Sequence, residues 1–201
     1  LGWGPYLVKG THASELIKGT SVAAGPGNDT VQGGNKNDVF NGGPGDDSLQ
    51  PGAGNDSVNG GPGNDTFGGG PGNDIIIGLQ GNDSLSGGPG DDSIWGGQGN
   101  DLISGSSSGD DFLRGDAGND LLLGGSGADN FWFGAITGND TIADFGNHDV
   151  ISVVGMGLSN WAAVQAHLSY TAEGAVITVG SNTVLVAGAT SLSETDFLFV
   201  A

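Results

Sequence analysis

The chain has 201 residues, enough for one domain or for one elongated domain with a small cap. Only 35% of the residues are hydrophobic, 43 are glycine, and 23 acidic residues face 4 basic ones for a formal charge of −19. This excludes a broad apolar core and the clustered Lys and Arg that nucleic acid or an anionic membrane surface requires.

Glycine loses more backbone freedom on folding than any other residue, so a fold this rich in it needs a further source of stability. Without one, the composition describes a solvated, disordered acidic chain. A hard cation with oxygen ligands is the natural counter-charge. Cysteine is absent, which removes disulfides and thiolate metal sites. No run approaches the ~20 apolar residues of a membrane span, so no membrane insertion is expected. Residues 1–8 show neither a charged n-region nor a full apolar h-region, so no secretory signal peptide is expected there. The chain starts at Leu1 rather than Met, which leaves room for a longer protein upstream.

In chain order, residues 1–23 form a flank in which 10–18 is a degenerate nonapeptide with Glu15 in the place of an aspartate. From residue 24 to 132 a nine-residue period takes over. Aspartates stand at Asp29, Asp38, Asp47, Asp56, Asp65, Asp74, Asp83, Asp92 and Asp101. One extra residue near Gly105 moves the next to Asp111, after which Asp120 and Asp129 resume the period. Two residues after each of these comes an apolar one, from Val31 and Phe40 through to Leu122 and Phe131. Two residues before each comes glycine, except at Lys36, and the residue just before is Asn or Asp, except at Ala128.

Glycine and Asn accept φ > 0, so the first six residues of each nonad can turn sharply and the last three can make only a short strand. Two nonads then close one coil of 18 residues, and coils stack ~4.8 Å apart. Asp29, Asp47, Asp65, Asp83 and Asp101 line one side, and Asp38, Asp56, Asp74 and Asp92 the other. The apolar residues stack between them as a thin core. Carboxylates lined up at ~5 Å repel one another. Residues 24–132 hold 16 acidic and 2 basic residues, a net charge of −14. Ca²⁺ between successive loops, held by aspartate oxygens and turn carbonyls, resolves the conflict, and roughly ten ions would offset the charge.

The run Gly60-Gly61-Pro62-Gly63-Asn64-Asp65-Thr66-Phe67-Gly68 resembles the RTX (haemolysin-type) calcium-binding nonapeptide repeat, GGxGxDxUx, where U is a large apolar residue. The resemblance covers 24–132 and implies an all-β fold, a right-handed parallel β-roll that binds Ca²⁺. The metal set it suggests consists of the twelve repeat aspartates together with turn carbonyls at Gly25, Gly27, Gly34, Gly43, Gly45, Gly52, Gly54, Gly61, Gly63, Gly70, Gly72, Gly81, Gly88, Gly90, Gly97, Gly99, Gly109, Gly118, Gly125 and Gly127. Three departures stand out. Lys36 places a cation beside a presumed site. Gln50-Pro51 and Gly78-Leu79 interrupt the double glycine. Ser106-Ser107-Ser108 inserts a bulge expected to weaken the site at Asp111.

Beyond 132 glycine thins out, and a mixed, mainly antiparallel β cap is expected over 133–201. The sequence predicts short strands at 140–145 and 149–151 and a helix over 158–168 capped by Ser159 or Asn160. A hairpin joins 175–179 to 183–187 through Gly180-Ser181-Asn182, and a last strand spans 197–200. Trp132 is placed in the cap core. This order is similar to the region closing serralysin-like secreted proteins. Carried by Phe131-Trp132-Phe133, 140–145, 149–151 and the terminal Asp196-Phe197-Leu198-Phe199-Val200-Ala201, it implies an uncleaved signal for type I export and so the secretion apparatus as a transient partner.

Other signals are set aside. The G-x-S-x-G of 105–109 interrupts a repeat and lacks the strand–helix frame of a nucleophile elbow. His12, His148 and His167 share no metal-binding spacing. No catalytic residue is assigned. The expected function is a calcium-binding domain, secreted from a bacterium, that folds on Ca²⁺ after export and serves an upstream effector. The competing reading is an extracellular glycan-binding or adhesive module. Scattered cations argue against its binding a polyuronate.

Overall fold

The computed structural model describes residues 7–9, 16–18, 21–134, 138–154 and 157–200. Every nonad bends at its glycines and ends in a short strand, and strands two nonads apart pair in parallel. Leu85 lies between Phe67 and Ile103, 18 residues away on each side. Among the described residues, alternate strands therefore sort into two sheets of ten and eleven strands that face each other. Backbone bonds tie coil to coil, as in Ser48 N–H to Asp29 O and Thr66 N–H to Asp47 O, both 2.8 Å.

The core is one side chain thick. Val31, Phe40, Leu49, Val58, Phe67, Ile76, Leu85, Ile94, Ile103, Leu113, Leu122 and Phe131 are all buried between the sheets. With one such side chain per nonad, at about 1.5–3 kcal/mol each, hydrophobic burial has to offset the ordering of nine residues at a time. That balance matches the shortage of apolar residues in the composition.

The tightness of the turns explains the glycines. At Gly63 φ is +145°, and a Cβ there would stand 1.9 Å from Gly45 O in the coil below. Nineteen of the twenty glycines expected in the metal set have positive φ, Gly34 being the exception. Leu79, Ser106 and Asp116 occupy the second-glycine position and still adopt φ of +86°, +100° and +72°. The stacking imposes the turn even where the residue disfavours it.

The serine insertion is absorbed without loss of register. Ser104 still pairs with Leu123, Ser106 with Gly125, and Pro89 bridges Ser108. In the flank expected over 1–23, Leu7–Lys9 pairs with Ser21–Ala23 and Leu16–Lys18 with Thr30–Gly34, both at an offset of 14 residues rather than the 18 of the repeat. Glu15 and His12 lie outside the described residues.

The parallel ladders continue past residue 132. Asn139–Ile142 stacks on Leu121–Gly125, Val150–Val154 on Asn130–Phe133, and Phe197–Val200 on Val150–Val154. The strand expected over 140–145 stops at Ile142 because Asp144 turns back to the preceding coil. The antiparallel part consists of Leu168–Tyr170, Gly174–Val179 and Asn182–Ala187, the last of which also runs parallel to Asn139–Ile142. The helix is shorter than expected, Trp161–Gln165, with Asn160 accepting from Ala163 N–H at 3.0 Å; Leu168 already belongs to a strand. Trp132 is not in the cap core. Strand alternation buries Phe131 and Phe133 and leaves Trp132 half-buried on the outward face. Among the described residues, no helix is long and apolar enough to cross a membrane.

Candidate metal centre

Each repeat aspartate immediately precedes a strand and follows two turn residues, so its side chain points along the edge of the roll. The stacking brings these side chains into two columns. In the first, the backbone N–H of Asp29 donates to Asp47 Oδ1 at 2.7 Å, Asp47 to Asp65, Asp65 to Asp83 and Asp83 to Asp101 at 2.8 Å, and Asp101 to Asp120 at 2.9 Å. In the second, Asp38 donates to Asp56, Asp56 to Asp74, Asp74 to Asp92, Asp92 to Asp111 and Asp111 to Asp129 at 2.7–2.9 Å. All twelve are buried. Asp111 keeps its place, since the insertion loops out ahead of it.

Sequence reading missed two further rungs. Asp120 N–H donates to Asp140 Oδ1 and Asp129 N–H to Asp149 Oδ1, both at 3.0 Å, and both acceptors are buried. Their spacings of 20 residues down each column hide them from a nine-residue count. The short signal Gly138-Asn139-Asp140-Thr141-Ile142, a nonad stripped of its first residues, could have revealed the first. Asp149 closes its column differently, because its second oxygen accepts from Gly146 N–H at 2.6 Å.

The remaining carboxylate oxygens carry the chemical message. One oxygen of each of Asp38, Asp47, Asp56, Asp65, Asp74, Asp83, Asp92, Asp101, Asp111, Asp120 and Asp129 is buried with no hydrogen-bond partner. Orphaned buried acceptors on this scale are foreign to a stable polar interior. A glycine five residues upstream leaves most of them room. A Cβ at Gly42, Gly60, Gly78, Gly96 or Gly115 would stand 2.2–2.3 Å from the free oxygen of Asp47, Asp65, Asp83, Asp101 or Asp120.

Burial, the largest influence, pushes the carboxyls of Asp65, Asp92 and Asp101 up to about 7, and those of Asp47, Asp74, Asp111 and Asp120 up to about 6. Asp140 is likewise pushed up to about 7, and Asp38, Asp56, Asp83 and Asp129 are raised for the same reason. The backbone N–H of the preceding rung opposes the rise, and neighbouring carboxylates such as Asp47 and Asp83 around Asp65 add to it. The roll holds its carboxylates where ionisation without a counter-ion is costly.

The donor set is all oxygen, which suits a hard divalent cation. Among the described residues no three acidic or imidazole side chains converge on one point. The carboxylates instead sit one coil apart along each column. The Lys36 loop differs from the others. Neither Gly34 nor Lys36 takes positive φ, Gly34 N–H donates to Asp38 Oδ2 at 3.1 Å, and the Lys36 charge favours the ionised form of Asp38. The 105–109 segment is a strand end and turn inside the ladder, with Ser106 Oγ 2.8 Å from Ser86 Oγ. His167 lies exposed just past the helix, its Nδ1 2.9 Å from Ala163 O.

A parallel roll with two columns of buried, half-satisfied carboxylates is a repeat solenoid of the ion-binding class. The chain belongs to the RTX calcium-binding nonapeptide repeat family, whose model matches four copies at residues 23–58, 52–76, 68–103 and 105–135. Among solved structures, the chain is similar to the extracellular lipase LipA from Serratia marcescens, at 18% identity and a TM-score of 0.45. The match covers 87% of this chain and 40% of the lipase, so the chain spans less than half of that protein's length. A search of curated proteins found no match.

Proposed function

We propose that this chain is the calcium-responsive part of a secreted protein: a roll that folds when Ca²⁺ loads its two carboxylate columns outside the cell. The eleven buried oxygens without partners are the observation that carries this reading. The free oxygens of successive rungs, such as Asp47 with Asp65 and Asp74 with Asp92, would hold the ions. Carbonyls of the glycines at the second and fourth positions, such as Gly43 and Gly45, would complete each oxygen set. Roughly ten ions would place one between successive rungs of each column and would more than offset the net charge of the repeat. When bound, Ca²⁺ supplies positive charge between carboxylates that otherwise oppose folding.

The chain's own residues do the rest. Backbone N–H groups of one rung orient the carboxylate of the next. Glycines keep the space beside the free oxygen clear, and the thin core sets the coil spacing. Extracellular sites with a Kd of ~10⁻⁴–10⁻³ M would leave such a chain unfolded in a calcium-poor cytosol and folded outside. The acidic-then-apolar end, Asp196 followed by Phe197–Val200, fits a signal for type I export, with the secretion apparatus as a passing partner. An upstream effector would supply the biological activity. Circular dichroism during a calcium titration tests the proposal. Strand signal should appear only as Ca²⁺ is added, and a full strand spectrum in chelator would overturn it.

A further inference from the structure

The outward face of the ten-stranded sheet carries a row that the metal columns do not explain. Pairing across neighbouring coils aligns Asn41 with Asn59, Asn59 with Ile77, Ile77 with Trp95, and Trp95 with Arg114. One coil further on, Leu113 pairs with Phe131, which sets Arg114 beside Trp132. The Arg114 guanidinium lies 4.1 Å from the centre of the Trp132 ring, and Trp95 packs against Phe112 at 5.8 Å between ring centres. Asp116 holds Arg114 in an ion pair from a left-handed backbone position that Gly97 fills one coil earlier. Arg114, Asp116 and Trp132 border a small recess floored by Phe133 and Gly134. Trp95, Arg114 and Trp132 are all half-buried, open to solvent on one side.

We propose that this row binds an extended, uncharged polysaccharide lying along the axis of the roll. The chemistry points to such a ligand on three counts. Flat rings and a planar guanidinium offer stacking surface to the C–H face of a pyranose. The fork of Arg114 has five N–H donors, of which Asp116 engages only part, so Arg114 presents donors to neighbouring hydroxyls. The row repeats once per coil, about 4.8 Å, close to the advance of one sugar in an extended glycan, and the amides of Asn41 and Asn59 continue it.

Local charge argues against polyanions. The one cation in the row is paired with Asp116, so the row has no net positive charge with which to attract a polyuronate or nucleic acid.

The test uses the full chain in saturating calcium, with its fold checked by circular dichroism so that a failure of calcium-dependent folding is seen separately. Cellohexaose, maltohexaose and chitohexaose are titrated by calorimetry and tryptophan fluorescence, with a hexauronate as the anionic control. At least one neutral hexamer should bind and perturb tryptophan emission. Affinity should fall at least about tenfold in Trp95→Ala and in Arg114→Gln, the latter leaving the aromatic packing in place. Leu121→Ser, on the opposite sheet, should bind as the parent does. Silence with all three neutral sugars, a preference for the uronate, or binding unchanged in both Trp95→Ala and Arg114→Gln would overturn the proposal. So would self-association of the chain that Trp95→Ala abolishes.

Discussion

Asp65 Oδ1 accepts the backbone N–H of Asp47 at 2.8 Å, while Asp65 Oδ2, equally buried, meets no donor. The same carboxylate is thus half structural and half available. The N–H bond fixes its orientation coil by coil, and the second oxygen carries the unbalanced negative charge. Removing the whole group should cost both functions. Asp65→Ala should raise the calcium midpoint of folding several-fold and lower stability in calcium by about 1–3 kcal/mol, the usual penalty for a lost charged partner in a buried network. Calcium titration followed by circular dichroism, with thermal melts at saturation, measures both.

Neighbouring carboxylates should separate cleanly. Asp46 and Asp47 are adjacent in sequence, but Asp47 is buried in the column whereas Asp46 is exposed and its side chain accepts Asn64 N–H at 2.8 Å. Asp46→Asn keeps that acceptor and should leave the calcium midpoint unchanged within error. Asp47→Asn should raise it. Equal shifts for the two variants would mean that the buried column is not where the ions are held.

Gly60 tests whether the space beside the free oxygen matters independently of backbone strain. It does not need positive φ, yet a Cβ there would stand 2.2 Å from Asp65 Oδ2 and 2.6 Å from Phe67 Cζ. Gly60→Ala should therefore destabilise the calcium-loaded roll by about 1–3 kcal/mol through overpacking. Gly68→Ala, where nothing lies within 4 Å, should change little. Chemical denaturation of both variants in saturating calcium makes the comparison.

The raised carboxyls set a pH dependence whose direction reverses with calcium. Without the ion, Asp65, Asp92 and Asp101 have folded-state values near 7, against ~3.9 for an unfolded aspartate. Because the folded value is the higher, protonation favours the folded state. That support is complete below about pH 4 and lost as pH rises through about 7. In chelator, acidification should therefore bring the chain closer to folding. In calcium the ionised carboxylates are needed, so binding near pH 6 should release protons and the midpoint should rise as pH falls below about 7. Titrations at several pH values in two buffers of different ionisation enthalpy read both effects.

Where the nonapeptide coils of the eleven-stranded sheet give way to the cap, Asp144 accepts from Gly124 N–H at 2.9 Å and Gly125 N–H at 3.0 Å. In an earlier coil of the same sheet, the equivalent donors meet carbonyls of the next turn, as Gly87 and Gly88 do with Ser104 O and Gly105 O. Asp144 thus supplies the acceptors that turn carbonyls supply in the earlier coil. Asp144→Ala should lower stability by about 1–2 kcal/mol, or several degrees in melting temperature for a chain of this size, without altering the calcium midpoints of sites near Asp38 and Asp56. Differential scanning calorimetry in calcium is the check.

The nine-residue pattern alone determined the coil, the parallel pairing and the burial of Val31 through Phe131, because each nonad contains its own turn, strand and inward residue. It also placed nine aspartates, Asp29 through Asp101, in two columns, since a strict period leaves stacking only one register. Tertiary structure decided the rest. Asp140 and Asp149 join the columns at spacings of 20 residues that the nine-residue count does not anticipate. Asp111 stays in line because the serine insertion can bulge into solvent. Outward residues are under no repeat constraint, so the row from Asn41 to Trp132 exists only once stacking has chosen which side chains become neighbours. The repeat encodes what every coil must do, and the differences between coils acquire meaning only when the coils are laid side by side.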